Sequence, residues 1–207
     1  LKESLAQVAS DPGKPNYESV NSEIKKIQQD IRKIVNTTKI FGRIVAKGKD
    51  EVLRVDEIVN ETLSLLRDIS DRAHVVMQFT PPEKLMIIRS QAVVLEQIFL
   101  NVALNAIQQI AELRPDIGGW VQINMELKHN TSGAPICKIL IEDNGPGIHT
   151  SHWEKIFDAG FTTRPDGSGI GLYISRNLME DIGGRIYVSK SYILSGTLFV
   201  LEFPIHL

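Results

Sequence analysis

An α+β fold, with helices interleaved with a mostly antiparallel sheet, is what this sequence predicts from about residue 52 onward. Three observations carry that expectation. Apolar residues recur at helical spacing over residues 55–72 and again over 90–114, with short strand-like runs between. Two alternating segments, "GWVQINMELKH" and "ICKILIED", flank the turn "NTSGAP". Near the end, "RIYVSKS" and "GTLFVLEFPI" read as a closing hairpin.

The elements follow in order. "LKESLAQVAS" reads as the last turns of a helix, and "DPGKPNY" breaks it. In the next stretch Val20, Ile24, Ile27, Ile31, Ile34, Thr38 and Phe41 recur at three- and four-residue steps. That is a long amphipathic helix with a narrow apolar seam, closed by Gly48, and a narrow seam wants a partner helix. A helix from about Val55 to Arg72 opens the second region. "VVMQF" is a strand stopped by Pro81 and Pro82, and "KLMIIR" holds a second short strand. Ser90 is the expected N-cap of the helix that ends before Pro115. "ICKILIED" is expected at the sheet centre, and "GIGLYISRNLMEDI" is a helix ended by a Gly pair.

Composition narrows the function classes. The 207 residues hold 43% hydrophobic and 23% charged residues, ordinary for a globular protein, and the net charge of −2 offers no basic field for nucleic acid. No uninterrupted run of about 18 apolar residues exists, so no membrane segment is expected. The single cysteine, Cys137, reads as a small buried hydrophobe on a strand, and a cytoplasmic setting fits. The start without Met reads as a piece of something longer.

The helix over 90–114 carries a polar line on an apolar body. At 3.6 residues per turn Gln97, Asn101, Asn105, Gln108 and Glu112 share one narrow stripe. Buried amides without partners cost about 1–3 kcal/mol each. The stripe is therefore either solvent-facing or a ligand site, and an Asn oxygen suits magnesium. "DNGPGI" follows the central strand. Asp143 there is placed to accept from an exocyclic amine such as that of adenine, though an Asx turn alone gives the same pattern. "GSGIGL", residues 167–172, leads straight into a helix, which favours phosphate, but the spacing GxGxG alone is weak evidence. Between them "HTSHWEKIFDAGFTTRPD" is either a lid or a surface loop pinned by Trp153, Phe157 and Phe161. Its Thr162, Thr163 and Arg164 suit phosphate oxygens.

Together these pieces resemble the N, G1, F and G2 boxes of the GHKL superfamily: the amide helix, "DNGPGI", "IFDAGFTTR" and "GSGIGL", in that order. "SGTLFVLEFP" is similar to the terminal Gly-Thr strand of histidine kinases, and the likeness spans residues 52–207. The resemblance implies a Bergerat-fold α/β sandwich with helices on one face of the sheet, binding ATP and Mg2+ under a lid. It implies Asn101 and Asn105 as the catalytic pair, with Asn105 on the metal. The nucleotide site would comprise Asn105, Gln108, Gln109, Asp143, Gly145, Gly147, Ile148 and the lid residues Phe161, Thr162, Thr163 and Arg164. Gly167, Ser168, Gly169, Ile170, Gly171 and Leu172 would cradle phosphates, and Thr197 would be a further adenine-side contact.

Within the superfamily the resemblance points to a sensor histidine kinase of a two-component system. Hydrolysing members place a Glu four residues before the magnesium Asn, where this chain has Asn101. Residues 1–50 then resemble the distal part of a dimerisation and histidine-phosphotransfer hairpin, and 51–207 the catalytic ATP-binding domain. The implied partners are a response-regulator receiver domain, through its acceptor Asp, and a second copy of the chain. The acceptor histidine is expected upstream of Leu1, the alternative being a protein without one, because His74, His129, His149, His152 and His206 read as surface or structural histidines. Whether the parent is anchored in a membrane is left open. One departure is Gln108, where many sensor kinases carry a basic residue, so phosphate neutralisation would lean on Arg164, the metal and the helix dipole. The alternatives are a degenerate scaffold module and a chaperone-type conformational ATPase.

Overall fold

The computed structural model describes residues 50–164 and 167–205. The helix end, the breaker and the seam helix expected over residues 1–48 lie outside the described residues, as does His206. Seven strands and three α-helices follow in the order β1 (Glu51–Arg54), α1 (Val55–Arg72), β2 (Val75–Thr80), β3 (Ile87–Ser90), α2 (Ala92–Leu113), β4 (Gly119–His129), β5 (Pro135–Asp143), α3 (Gly171–Asp181), β6 (Arg185–Tyr192) and β7 (Gly196–Pro204). The main sheet has the order β2-β4-β5-β7-β6. β5 is central, as its apolar run suggested. Only β2 and β4 run parallel. The chain between them crosses over through β3 and α2 and returns to the same end of the sheet.

Register makes one face of the sheet continuous. Met125 pairs with Ile139, Ile139 with Leu201 and Leu201 with Ile186. Ile123, Ile141, Phe199 and Val188 form the neighbouring row. All eight are buried beneath the helices. Side chains alternate along a strand. Cys137, Ile139, Ile141 and Asp143 therefore all point to the helix-covered face, and β5 ends with a carboxylate where the pattern calls for a hydrophobe. Cys137 is fully buried, and burial pushes its thiol up to about 12, in line with the inert reading.

One local expectation needs correction. Ser90 is not a helix cap. It is the last residue of β3, paired with Glu51 of β1, and Gln91 takes the N-cap position without a side-chain bond. The two-stranded pairing of β1 with β3 had no sequence signal, since "EVLR" is short and charged. By length and composition α2 is long and apolar enough to cross a membrane, although its polar stripe interrupts any apolar run. Its Ile98, Val102, Ala106 and Ile110 are buried against the rest of the fold.

Candidate functional site

The stripe on α2 divides into three tasks. Its N-terminal part is structural: Gln97 Nε2 donates to Asn101 Oδ1 at 2.7 Å, and Asn101 Nδ2 donates to the Gly171 carbonyl at 3.0 Å and lies 3.2 Å from Ser175 Oγ. These bonds dock the first turn of α3 on α2. Its middle part faces a cleft, which Asn105 and Gln109 line. Its C-terminal part meets the loop: the Arg164 guanidinium bonds Gln108 Oε1 and the Glu112 carboxylate.

The cleft, about 140 Å3 in volume, lies between α2, the end of β5 and the loop over residues 146–164. Asp143 sits on its wall, 5% exposed. Gly145 N–H donates to Asp143 Oδ1 at 2.8 Å, and the neighbouring Thr197 backbone also favours the carboxylate. Burial outweighs both and raises the carboxyl to about 6. A carboxylate has about four lone-pair sites, so the Gly145 donor leaves acceptor capacity at the cleft wall.

The backbone around Asp143 closes through two glycines. Gly147 has φ +74°, and a Cβ there would lie 2.2 Å from the Tyr192 carbonyl oxygen. Gly196 has φ +109°, and a Cβ there would lie 1.8 Å from the Asp143 carbonyl oxygen. Only a residue without a side chain lets β7 start this close to the acid. The β6–β7 turn then holds the loop. Leu194 N–H donates to the Pro146 carbonyl at 2.7 Å, and Ile148 N–H donates to Ser191 Oγ at 2.7 Å. Ser191 Oγ is also 3.0 Å from Thr197 Oγ1.

The middle of this loop is anchored to the fold. Short 3-10 turns span Thr150–His152 and Lys155–Phe157. Trp153 Nε1 donates to the Ile148 carbonyl at 3.1 Å. Phe157 is buried, edge-on to Phe199 at 6.4 Å, with the Arg176 guanidinium 4.6 Å from its ring centre. Gly160 N–H donates to the Gly169 carbonyl at 3.0 Å, joining this segment to the glycine loop before α3.

Eleven of the expected site residues line the cleft: Asn105, Gln109, Asp143, Gly147, Ile148, Phe161, Thr162, Thr163, Arg164, Leu172 and Thr197. Asn101, Gln108, Gly145, Gly167, Ser168, Gly169, Ile170 and Gly171 do not. Gly145 turns the chain behind Asp143, and the glycine loop lies alongside, tied to Gly160 and Asn101. Sequence reasoning passed over Ala106, Pro146, Ile156 and Phe199, apolar wall residues with no motif of their own. It also set aside His149 and His152, which line the cleft, with His152 edge-on to Phe161 at 5.2 Å. Their place in the loop, directly after "DNGPGI", was the available signal. Ser191 lies 43 residues from Ile148 and had no local signature.

An amide helix, a buried acid at a strand end and a glycine loop opening a helix, grouped around one cleft of an α/β sandwich, define an ATPase-type catalytic domain. The chain belongs to the histidine kinase-, DNA gyrase B-, and HSP90-like ATPase family, whose model matches residues 90–207. It is 32% identical over 155 residues to the sensor histidine kinase ZraS of Salmonella typhimurium, covering 75% of this chain. It is 31% identical over 202 residues to the signal transduction histidine-protein kinase AtoS of Escherichia coli, covering 98% of this chain. In both cases it spans 31% of the relative's length. In fold it matches the mycobacterial sensor histidine kinase MprB, with a TM-score of 0.64 at 22% identity over 76% of this chain and 98% of that one.

Proposed function

We propose that this chain is the ATP-binding catalytic region of a sensor histidine kinase, which passes the γ-phosphate of ATP to a histidine imidazole for relay to a response-regulator aspartate. Residues 51–207 are assigned to catalysis, and 1–50 to the dimerising helical hairpin. The cytoplasm is the compartment this reading requires. The observation that carries it is Asp143: a buried carboxylate, held by the Gly145 N–H, with remaining acceptor capacity on the wall of a cleft. Adenine offers the matching amine.

The other parts take roles by position. Gly147 and Ile148 flank the base, with Thr197 beside the acid. Asn101 fixes the first turn of α3, and so the glycine loop whose N–H groups and helix dipole suit phosphate. Arg164, Thr162 and Thr163 face the phosphate side of the cleft. Among the described residues no group of three or more His, Cys, Asp or Glu is arranged to hold a metal ion. The Asn105 amide oxygen therefore fits magnesium only as a partner to phosphate oxygens and water, so the ion belongs with the nucleotide. What it supplies there is charge neutralisation. The chain's own contribution is positioning, and exclusion of water by the aromatic segment over residues 153–161.

Calorimetric titration with a non-hydrolysable ATP analogue, with and without magnesium, tests this on wild type, Asp143→Ala and Asp143→Asn. Magnesium-assisted binding by wild type, lost in both variants while thermal unfolding stays cooperative, is expected. Absence of wild-type binding would overturn the reading in favour of a scaffold module.

A further inference from the structure

Arg164 is the one Lys or Arg among the described residues that lines the cleft. Its charge is already engaged. Nε pairs with the Glu112 carboxylate and Nη1 donates to Gln108 Oε1. Glu112 and Gln108 lie one turn apart on the stripe of α2, outside the cleft wall. The pair spans 52 residues, so local helix geometry does not impose it. The side chains are 21% and 48% exposed, so solvent weakens the pair without removing it.

We infer that Glu112 sets the phosphate selectivity of the cleft: it is an internal counter-charge on Arg164 with which the terminal phosphates of a nucleotide compete. This rests on the reading of the cleft as an ATP site. The guanidinium fork serves a carboxylate and a phosphate with the same planar set of donors. Arg164 therefore exchanges one anion for the other without losing hydrogen bonds. Adenosine has no phosphate and leaves the pair intact. A triphosphate competes for the same guanidinium charge, and the Glu112 carboxylate opposes its approach. Glu112 thus acts through Arg164 as a positioning residue, and Gln108 steadies the guanidinium in either state.

The test is a double-mutant cycle on the whole chain. Binding of adenosine, ADP and a non-hydrolysable ATP analogue with magnesium is measured on wild type, Glu112→Gln, Arg164→Gln and the double variant. Thermal unfolding on all four separates a folding defect from a binding effect. Glu112→Gln is expected to tighten the ATP analogue by about three- to fivefold, the size of one exposed ion pair. ADP should gain less and adenosine nothing. In the Arg164→Gln background the gain should vanish. Unchanged or weaker binding of the ATP analogue by Glu112→Gln overturns the inference. So does an equal gain in the Arg164→Gln background, which would mark a general charge effect. If wild type binds adenosine but the cycle shows no coupling, only the role of Glu112 fails. If wild type binds none of the three, the ATP reading fails and the inference falls with it.

Discussion

Asn101 Nδ2 donates to the carbonyl oxygen of Gly171 at 3.0 Å, joining two positions 70 residues apart. One turn further along the same stripe, Asn105 faces the cleft instead. The two asparagines therefore meet different surroundings, the first a turn of α3 and the second the cleft.

Removing each separates these roles. Asn101→Ala strips its bonds to Gly171, Ser175 and Gln97 and is expected to cost about 1–2 kcal/mol in stability. Asn105→Ala is expected to leave the thermal midpoint near wild type while abolishing the magnesium enhancement of nucleotide binding. Differential scanning calorimetry alongside titration calorimetry reads both. A larger loss of stability from Asn105→Ala than from Asn101→Ala would reverse the assignment.

Asp143 makes stability and binding depend on pH in opposite directions. Its carboxyl is raised from 3.8 to about 6 in the folded chain, chiefly by burial. Folding therefore disfavours the ionised form, and the unfolded chain holds fewer protons at this group between these values. Its contribution falls as pH rises from about 4 to about 6, by up to about 3 kcal/mol, and stays lost above. Asp143→Asn should flatten that limb relative to wild type. A ligand amine that donates to the carboxylate favours the ionised form. Nucleotide affinity should then weaken as pH falls through about 6, with proton release on binding. Titration in two buffers of different ionisation enthalpy measures that release, and proton uptake would contradict the adenine contact.

Gly196 is a site residue without polar chemistry. A Cβ at this position would stand 1.8 Å from the Asp143 carbonyl oxygen, at φ +109°. Gly196→Ala should destabilise by at least about 2 kcal/mol, from backbone strain and steric overlap together. In the fraction that folds, displacement of Thr197 from Asp143 should weaken nucleotide binding, whereas Gly133→Ala, at an open turn with nothing within 4 Å, should leave binding unchanged. Urea unfolding with binding at one temperature checks both.

Periodicity and turn chemistry, both local properties, determined much of this protein by sequence alone. The apolar run of "ICKILIED" marked a central strand with Asp143 where it enters the loop. Three- and four-residue spacing put Gln97, Asn101, Asn105, Gln108 and Glu112 on one stripe of α2. What the tertiary structure decided is which partner each of them meets. Asn101 finds α3, Asn105 the cleft and Glu112 the arginine of the loop, because those partners lie 52 to 74 residues away in sequence. The short β1–β3 pairing, the Ser191 contact to Ile148 and the approach of Gly196 to Asp143 likewise arise only when strands come into register. A helix or a strand announces itself within a few residues. A contact between elements depends on the packing of the whole sheet, which no single stretch of sequence encodes.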